Sequence, residues 1–165
     1  MDYNNLPSVE IKPYKITEAT ESDVEDYIVC ALEFHKKMPL VDMVPFDENG
    51  FEFFFREALK SDLMKMWIAR VEDKPIAVCG AAISSLYFNP HFSGVQEMWW
   101  WVLEEYRGCG VANDMYKNIE EWARSMGASL LFMVALSDDS VDRVEKLYKR
   151  KGYVPTERTY VKELI

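Results

Sequence analysis

Apolar residues recur every three or four positions in four stretches of the chain, the spacing that places them on one face of a helix. The first two faces consist of Val24, Tyr27, Ile28, Ala31 and Leu32, and of Phe51, Phe54, Phe55, Ala58 and Leu59. The third stretch covers residues 112–126 and the fourth covers residues 141–148. Gly127 and Gly152 follow these two stretches, at the position where glycine commonly ends a helix.

Polar residues that can cap a helix stand before two of these stretches. Thr20, with an aspartate three residues later, has the spacing of a capping box before the first helix. Ser137, Asp138 or Asp139 can cap the fourth. Residues 38–45, which contain two prolines, are predicted to form the loop between the first two helices.

Short apolar runs between the helices predict the strands of one sheet. Tyr14, Lys15 and Ile16 alternate as a first strand with one buried face should. Further strands are predicted at residues 67–71, 75–83, 95–103 and 130–136, with a turn at 72–74 that makes the first two a hairpin. Residues 153–164 are predicted to add a final pair of strands or a hairpin. The alternating order predicts an α/β fold with one central sheet.

The chain is predicted to form a single domain over residues 1–165, with residues 1–12 as a peripheral N-terminal segment. A composition of 49% apolar and 14% aromatic residues is typical of a well-packed globular protein. The net charge of −9 argues against nucleic acid or an anionic membrane as the main partner. It is compatible with a cationic partner such as an amine, or with a role in solubility alone.

The cysteines indicate neither a disulfide framework nor a metal site. Cys30, Cys79 and Cys109 are odd in number and far apart, no CxxC pair occurs, and the chain has only 2 histidines. No apolar run approaches the roughly 20 residues that cross a bilayer, and the N-terminus lacks the regions of a signal peptide. We therefore expect a cytoplasmic protein without a metal and without a membrane partner.

The segment from Tyr106 to Ala112 lies between a predicted buried strand and a predicted amphipathic helix. The start of a helix leaves backbone N–H groups unpaired and presents the positive end of the helix dipole. Gly108 and Gly110 remove side chains that would keep an anion away from these groups. The pattern therefore favours a phosphate-binding loop, although a tight turn that needs glycine for its geometry would have the same spacing.

This segment resembles the acetyl-CoA signature of the GNAT superfamily, in which Arg or Gln is followed by two residues, Gly, one residue, and Gly or Ala. Arg107, Gly110 and Ala112 fill those positions, and Tyr106 and Val102 match the aromatic residue and the valine that usually precede them. The sequence Leu-Tyr-Lys-Arg-Lys-Gly-Tyr at 147–153 also resembles the family's late helix motif. The resemblance implies a mixed, mostly antiparallel central sheet flanked by helices in a single domain.

The resemblance also implies acetyl-CoA as the co-substrate. Its pyrophosphate would be held by the loop residues Arg107, Gly108, Cys109, Gly110, Val111 and Ala112. Backbone groups at Trp101 and Val102 would pair with the pantetheine arm as an added strand does. A fixed amide donor there suits the charge that develops on the thioester oxygen.

Two residues are candidates for the proton transfers. Tyr148 occupies the position at which many GNAT enzymes place the general acid that protonates the departing thiolate, although it also fits the apolar face of its helix. Glu97 precedes three consecutive tryptophans on the strand that leads to the loop. It could accept a proton from an ammonium group, directly or through water, or it could be a polar residue near a strand end.

The resemblance implies an N-acyltransferase that moves an acetyl group from acetyl-CoA to a primary amine of a small molecule, peptide or protein. In such enzymes the amine attacks the thioester directly while both substrates are bound. The alternative is a non-catalytic GNAT-fold module that binds CoA, a protein partner or both. The sequence leaves open the amine acceptor, the acyl-chain length and whether the protein forms a homodimer.

Overall fold

A computed structural model of the chain describes residues 13–137 and 141–164. Its elements are β1 (Tyr14–Glu18), α1 (Val24–His35), α2 (Glu48–Leu59), β2 (Met64–Val71), β3 (Lys74–Leu86), β4 (Asn89–Val102), α3 (Val111–Ser125), β5 (Leu130–Phe132) and α4 (Val141–Arg150). Single turns of 3₁₀ helix precede α1 at Glu21–Asp23 and follow β4 at Glu104–Tyr106. The predicted peripheral segment, residues 1–12, lies outside the described residues.

The strands form one sheet in the order β1-β2-β3-β4-β5. Strands β1 to β4 pair antiparallel with their sequence neighbours. Strand β5 pairs parallel with β4, from Gly94 opposite Leu130 to Gln96 opposite Phe132. The predicted fold class, a mixed and mostly antiparallel sheet flanked by helices, is confirmed.

Helices cover both faces of this sheet. Helices α1 and α2 pack on one face, where Tyr27 and Phe55 are fully buried against Ile68. Helix α3 packs on the other face, where Met115 and Ile119 are fully buried. The central strands are therefore buried on both sides, which explains why their sequences are continuously apolar instead of alternating.

The capping box predicted at Thr20 is present. The Asp23 carboxylate accepts the Thr20 backbone N–H at 2.6 Å and the Thr20 hydroxyl at 2.7 Å. Asp23 also receives the Arg70 guanidinium at 2.6 Å, which ties the start of α1 to β2. Of the three candidate caps of α4, Asp138 and Asp139 lie outside the described residues.

Two strand predictions were wrong. The strand predicted at 130–136 ends at Phe132, because the next residues pair with a side chain of β4 and not with its backbone. The strands predicted at 153–164 are absent, although that segment is described. Its apolar side chains face solvent: Val154 is 76% exposed and Leu164 is 87% exposed. Strand propensity alone does not form a strand without a neighbouring strand to pair with.

Strands β3 and β4 form a hairpin that extends beyond residues 75–83 and 95–103, the strands predicted from the sequence. Leu86 pairs with Asn89, so that Tyr87 and Phe88 form the two-residue turn. Both turn side chains are more than four-fifths exposed. Among the described residues, no helix has the length and apolar character needed to cross a membrane.

Candidate active site

A β-bulge in the middle of β4 sets the geometry of the site. Gly80 of β3 lies opposite Trp99, but Ala81 lies opposite Glu97, so Met98 is an extra residue in β4. Residues two apart on a strand normally share a face. The bulge instead places Glu97 with the backbone that follows β5 and Trp99 with α1 on the other face.

Strands β4 and β5 separate beyond this bulge. Their pairing ends at Gln96 and Phe132, and no strand of the described chain pairs with this side of β4 after that point. The backbone N–H of Val134 donates to the Glu97 carboxylate at 3.0 Å. Where the two strands begin to separate, the Glu97 side chain thus takes the place of a backbone partner. The rest of β4, up to Val102, is an open backbone edge that leads to the glycine loop.

The loop predicted to bind phosphate has the required backbone geometry. Gly108 and Gly110 have φ angles of 88° and 99°, a left-handed region that residues with side chains rarely adopt. Gly110 is the N-cap of α3. The amides of Gly108, Gly110, Val111 and Ala112 have no hydrogen-bond acceptor among the described residues. A Cβ atom added to Gly108 would meet no atom within 4 Å, so an anion can approach this backbone.

Arg107 folds back along β4. Its Nε donates to the carbonyl of Val102 at 3.2 Å, and its guanidinium lies 4.7 Å from the ring centroid of Trp101. These contacts bring together three of the residues predicted to bind the cofactor. They also occupy the Val102 carbonyl as an acceptor, whereas the loop amides stay unpaired. Cys109 lies in the same loop and is partly exposed.

Two further residues at this end of α3 were not identified from the sequence. The hydroxyl of Tyr14 donates to Asp114 at 2.6 Å, and that bond, with burial, raises the pKa of Tyr14 to about 12. The Lys151 ammonium donates to Asn113 at 3.1 Å and lies 3.9 Å from the ring centroid of Tyr116. Their partners are 100 and 38 residues away in sequence, so no local pattern signals either contact.

Glu97 is a carboxylic acid in a dry environment. The residue is only 4% exposed, and burial raises its pKa to about 7, although the bond from Val134 opposes the shift. A group with this pKa changes charge near neutral pH, which suits a general base.

Tyr148 reaches the same residue from α4. Its hydroxyl donates to the carbonyl of Val134 at 2.8 Å, and burial raises the pKa of Tyr148 above its usual value. The structure therefore brings both predicted catalytic residues to the backbone of one residue at the closed end of the gap between β4 and β5. Tyr148 also contacts the ring of Tyr153 at 5.5 Å, so it has a packing role as well.

On the opposite face, a cavity of about 150 Å³ lies at the end of β4. Its walls are Glu33, Lys37, Trp101, Leu103, Glu104 and Glu105. Each of its three carboxylates has a lysine nearby: Lys37 lies 3.0 Å from Glu104, Lys36 lies 2.6 Å from Glu33, and Lys74 lies 3.8 Å from Glu105. Among the described residues no cluster of histidine, cysteine, aspartate or glutamate could hold a metal ion.

A family model described as "Acetyltransferase (GNAT) family" matches residues 26–153. A search of curated proteins found no significant match. Among solved structures, an aminoglycoside antibiotic 6'-N-acetyltransferase, AAC(6')-Ih from Acinetobacter baumannii, is 20% identical with a TM-score of 0.71, covering 93% of this chain and 99% of that one. Glucosamine-6-phosphate N-acetyltransferase from Arabidopsis thaliana is 15% identical with a TM-score of 0.72, covering 92% and 98%.

A structure described as a predicted acetyltransferase with acetyl-CoA, from Clostridium acetobutylicum, is also similar. It is 18% identical with a TM-score of 0.71, covering 90% of this chain and 95% of that one. At this level of identity the three structures establish a shared fold.

Proposed function

The chain belongs to the GNAT acetyltransferase family, and we propose that it transfers an acetyl group from acetyl-CoA to a primary amine while both substrates are bound. The observation that carries this proposal is the gap between β4 and β5. It runs from the buried pair Glu97 and Tyr148 at its closed end to the unpaired amides of the glycine loop. Related structures named as holding acetyl-CoA or CoA support the same co-substrate.

Acetyl-CoA supplies the activated acetyl thioester. The amides of Gly108, Gly110, Val111 and Ala112 would hold its pyrophosphate at the positive end of α3, with Cys109 between the two glycines. The open edge of β4 at Trp101 would hold the pantetheine arm, and Arg107 keeps that edge in place through its bond to Val102. Holding the two substrates in register supplies much of the acceleration.

The proposed reaction forms one C–N bond and breaks one C–S bond. Glu97, ionised above about pH 7, accepts the proton that the attacking amine loses, directly or through water. Tyr148 gives its hydroxyl proton to the departing sulfur. A hydroxyl has only one proton, so Tyr148 must turn away from the Val134 carbonyl to do so.

Binding and turnover can be tested in turn. A ligand that binds only the folded protein at 100 times its Kd adds about 2.7 kcal/mol to the free energy of unfolding, so acetyl-CoA should raise Tm by several degrees. Thiol release with a panel of polyamines, aminoglycosides, amino acids and peptide N-termini then measures transfer. Stabilisation without release by any amine would favour the non-catalytic CoA-binding module.

The variant Gly110→Glu tests the position of the pyrophosphate, since it places bulk and negative charge in the loop. Gly127→Glu is a matched control at the opposite end of α3, also at positive φ, with open space around the added Cβ. Both variants should lose about 1 to 2 kcal/mol of stability from the strained backbone, and in Gly110→Glu the Tyr14 hydroxyl, 3.3 Å from the added Cβ, must also shift. Only Gly110→Glu should lose the acetyl-CoA shift. A normal shift in Gly110→Glu would mean that the pyrophosphate binds elsewhere.

A further inference from the structure

Helix α4, which carries the proposed general acid, buries little of its own surface. Among the residues Val141–Arg150, Tyr148 is the one buried side chain, at 8% exposed. Its hydroxyl donates to the Val134 carbonyl at 2.8 Å. That bond must break when the hydroxyl turns toward the departing sulfur, so it cannot hold the Tyr148 ring during the proton transfer. Another contact has to keep the ring in place at that moment.

Tyr153 provides such a contact from the segment that follows α4. Its ring lies 5.5 Å from the Tyr148 ring, and its backbone N–H donates to the Tyr148 carbonyl at 3.0 Å. On the other side, the Tyr153 hydroxyl donates to the hydroxyl of Tyr116 in α3 at 3.3 Å, and the two ring centroids are 6.4 Å apart. Tyr153 thus joins Tyr148 to α3, the helix that begins at the glycine loop.

The Tyr116 hydroxyl has a fixed direction in this bridge. It also bonds to the Glu120 carboxylate one turn later in α3, and the Arg124 guanidinium donates to the same carboxylate at 2.6 Å. A carboxylate only accepts hydrogen bonds, so the Tyr116 proton goes to Glu120 and the Tyr116 oxygen is left to accept from Tyr153. The Lys151 ammonium lies 3.9 Å from the Tyr116 ring centroid and adds a second contact between the two segments.

We propose that Tyr153 is a positioning residue of the acetyl transfer, which keeps the Tyr148 hydroxyl within reach of the departing sulfur by tying α4 to Tyr116. This inference rests on the proposed function, because Tyr148 needs a fixed position only if it protonates the thiolate. Such a step is sensitive to placement, since an error of about 1 Å in the position of a reacting group can cost about 10²-fold in rate.

Tyr153→Phe tests the bridge, because it removes the hydroxyl that reaches α3 and keeps the ring against Tyr148. The control variant is Tyr160→Phe, which removes an 87% exposed hydroxyl from the same C-terminal segment. The assay is single-turnover acetyl transfer by the full chain, with the amine from the panel that the wild type acetylates fastest. Tyr116→Phe removes the acceptor of the same bond and carries the test if Tyr153→Phe does not fold.

The rate of the chemical step should fall about tenfold in Tyr153→Phe, as expected when a reacting group is misplaced by less than 1 Å. Tyr116→Phe should lower this rate by the same factor. The Kd for acetyl-CoA and the KM for the amine should not change in either variant. The control variant should match the wild type in all three quantities.

A double-mutant cycle separates positioning from packing. In a protein that already carries Tyr148→Phe, Tyr153→Phe should cause no further fall in rate, because the hydroxyl that it positions is gone. A general loss of packing would instead lower the rate by the same factor in both backgrounds. The rise of kcat/KM near pH 7, which we assign to Glu97, should stay at the same pH in Tyr153→Phe.

An unchanged rate in folded Tyr153→Phe, or an equal fall in both backgrounds of the cycle, would overturn this inference and leave the proposed function intact. A weaker Kd for acetyl-CoA at an unchanged rate would also overturn it, because Tyr153 would then act in cofactor binding. A wild type that transfers acetyl to none of the amines would overturn the proposed function, and this inference with it.

Discussion

Glu97 and Tyr148 share the backbone of Val134, and each lies in a setting that favours its neutral form. Burial raises the pKa of both groups, to about 7 for Glu97. The carboxyl group therefore retains its proton in the folded protein at a pH where it would be ionised in the unfolded chain. The same environment that prepares Glu97 for proton transfer near neutral pH thus opposes its ionisation.

Glu97→Gln keeps an acceptor for the Val134 N–H and removes the charge. If Glu97 is the base, kcat/KM at pH 8 should fall about 10²-fold, within the usual range for general base catalysis. The rise of kcat/KM through about pH 7 should disappear. A pH–rate profile for both proteins measures this. If kcat/KM still rises near pH 7 in Glu97→Gln, the rise is due to another group.

The same substitution should change how stability depends on pH. Between the ordinary pKa of 4.5 and about 7 the folded protein binds the Glu97 proton and the unfolded chain does not, so wild-type stability falls as pH rises. The loss is complete above pH 7 and amounts to about 3 kcal/mol. In Glu97→Gln the part of this slope due to Glu97 should vanish, as measured by urea unfolding at pH 5 and pH 8. Equal slopes would contradict the shifted pKa.

Tyr148→Phe removes one hydroxyl and keeps the ring contacts. If the hydroxyl protonates the thiolate, kcat should fall about 10²-fold, or about 2.7 kcal/mol of transition-state stabilisation, while the Kd for acetyl-CoA stays the same. Leaving the Val134 carbonyl without its donor should also cost about 1 kcal/mol of stability. Single-turnover kinetics measure the chemical step. Equal rates in both proteins would leave Tyr148 with packing alone.

At the scale of elements, the bulge in β4 is held by contacts from helix α1. The fully buried Tyr27 of α1 donates to the Cys79 carbonyl at 2.7 Å and accepts the Trp99 indole N–H at 2.8 Å. Gly80 lets the Trp99 ring lie flat on β3, since an added Cβ atom would be 2.4 Å from that ring. Helix α1 thereby holds the strand segment next to Glu97.

Tyr27→Phe should loosen this bulge. The unpaired Cys79 carbonyl and Trp99 indole should cost about 1 to 3 kcal/mol of stability. Water that reaches Glu97 should lower the pKa of Glu97, so the rise of kcat/KM near pH 7 should move to lower pH. Phe55→Leu is the control, because Phe55 packs against the Tyr27 ring at 4.7 Å without touching its hydroxyl. If both variants lose stability and neither changes the pH at which kcat/KM rises, Tyr27 does not position Glu97.

The sequence predicted best those features that depend on neighbouring residues. The glycine loop follows from Gly108 and Gly110, and the helices follow from apolar spacing, because both properties are local. The bulge at Met98 has no signal in the sequence, since Met98 and the three tryptophans that follow it are apolar whichever face they lie on. The short length of β5 depends on where β4 turns away from it. The absence of strands at 153–164 depends on the lack of a neighbouring strand. Strand propensity predicts neither of these features.

At the scale of the whole molecule, the acidic charge is uneven. Residues 21–62 contain 11 aspartate and glutamate residues and 4 lysine and arginine residues. Helix α4, in contrast, carries four basic residues: Arg143, Lys146, Lys149 and Arg150. The cavity at the end of β4 adds Glu104 and Glu105 to the acidic side. A field of this kind attracts cationic molecules to one part of the surface and phosphates to another.

A polycationic acceptor should therefore respond to salt more strongly than one with a single amine. Raising ionic strength from 0.05 to 0.5 M shortens the range of electrostatic attraction severalfold. The KM of a polyamine should rise by about tenfold over this range, and that of a monoamine should rise less. Initial rates at saturating acetyl-CoA measure both, and equal responses would argue that the acidic charge serves solubility alone.

The bond between Tyr14 and Asp114 has a consequence for the order of folding. It joins the first described strand to the first turn of α3, and the Tyr14 hydroxyl would lie 3.3 Å from a Cβ atom at Gly110. Because closing a loop of 100 residues costs entropy, we expect this contact to form after β2, β3 and β4 have paired. During synthesis, β1 leaves the ribosome long before α3 exists and must wait for it. We therefore expect the first turn of α3, beside the unpaired loop amides, to be completed late in folding, so that partly folded chains would not retain CoA.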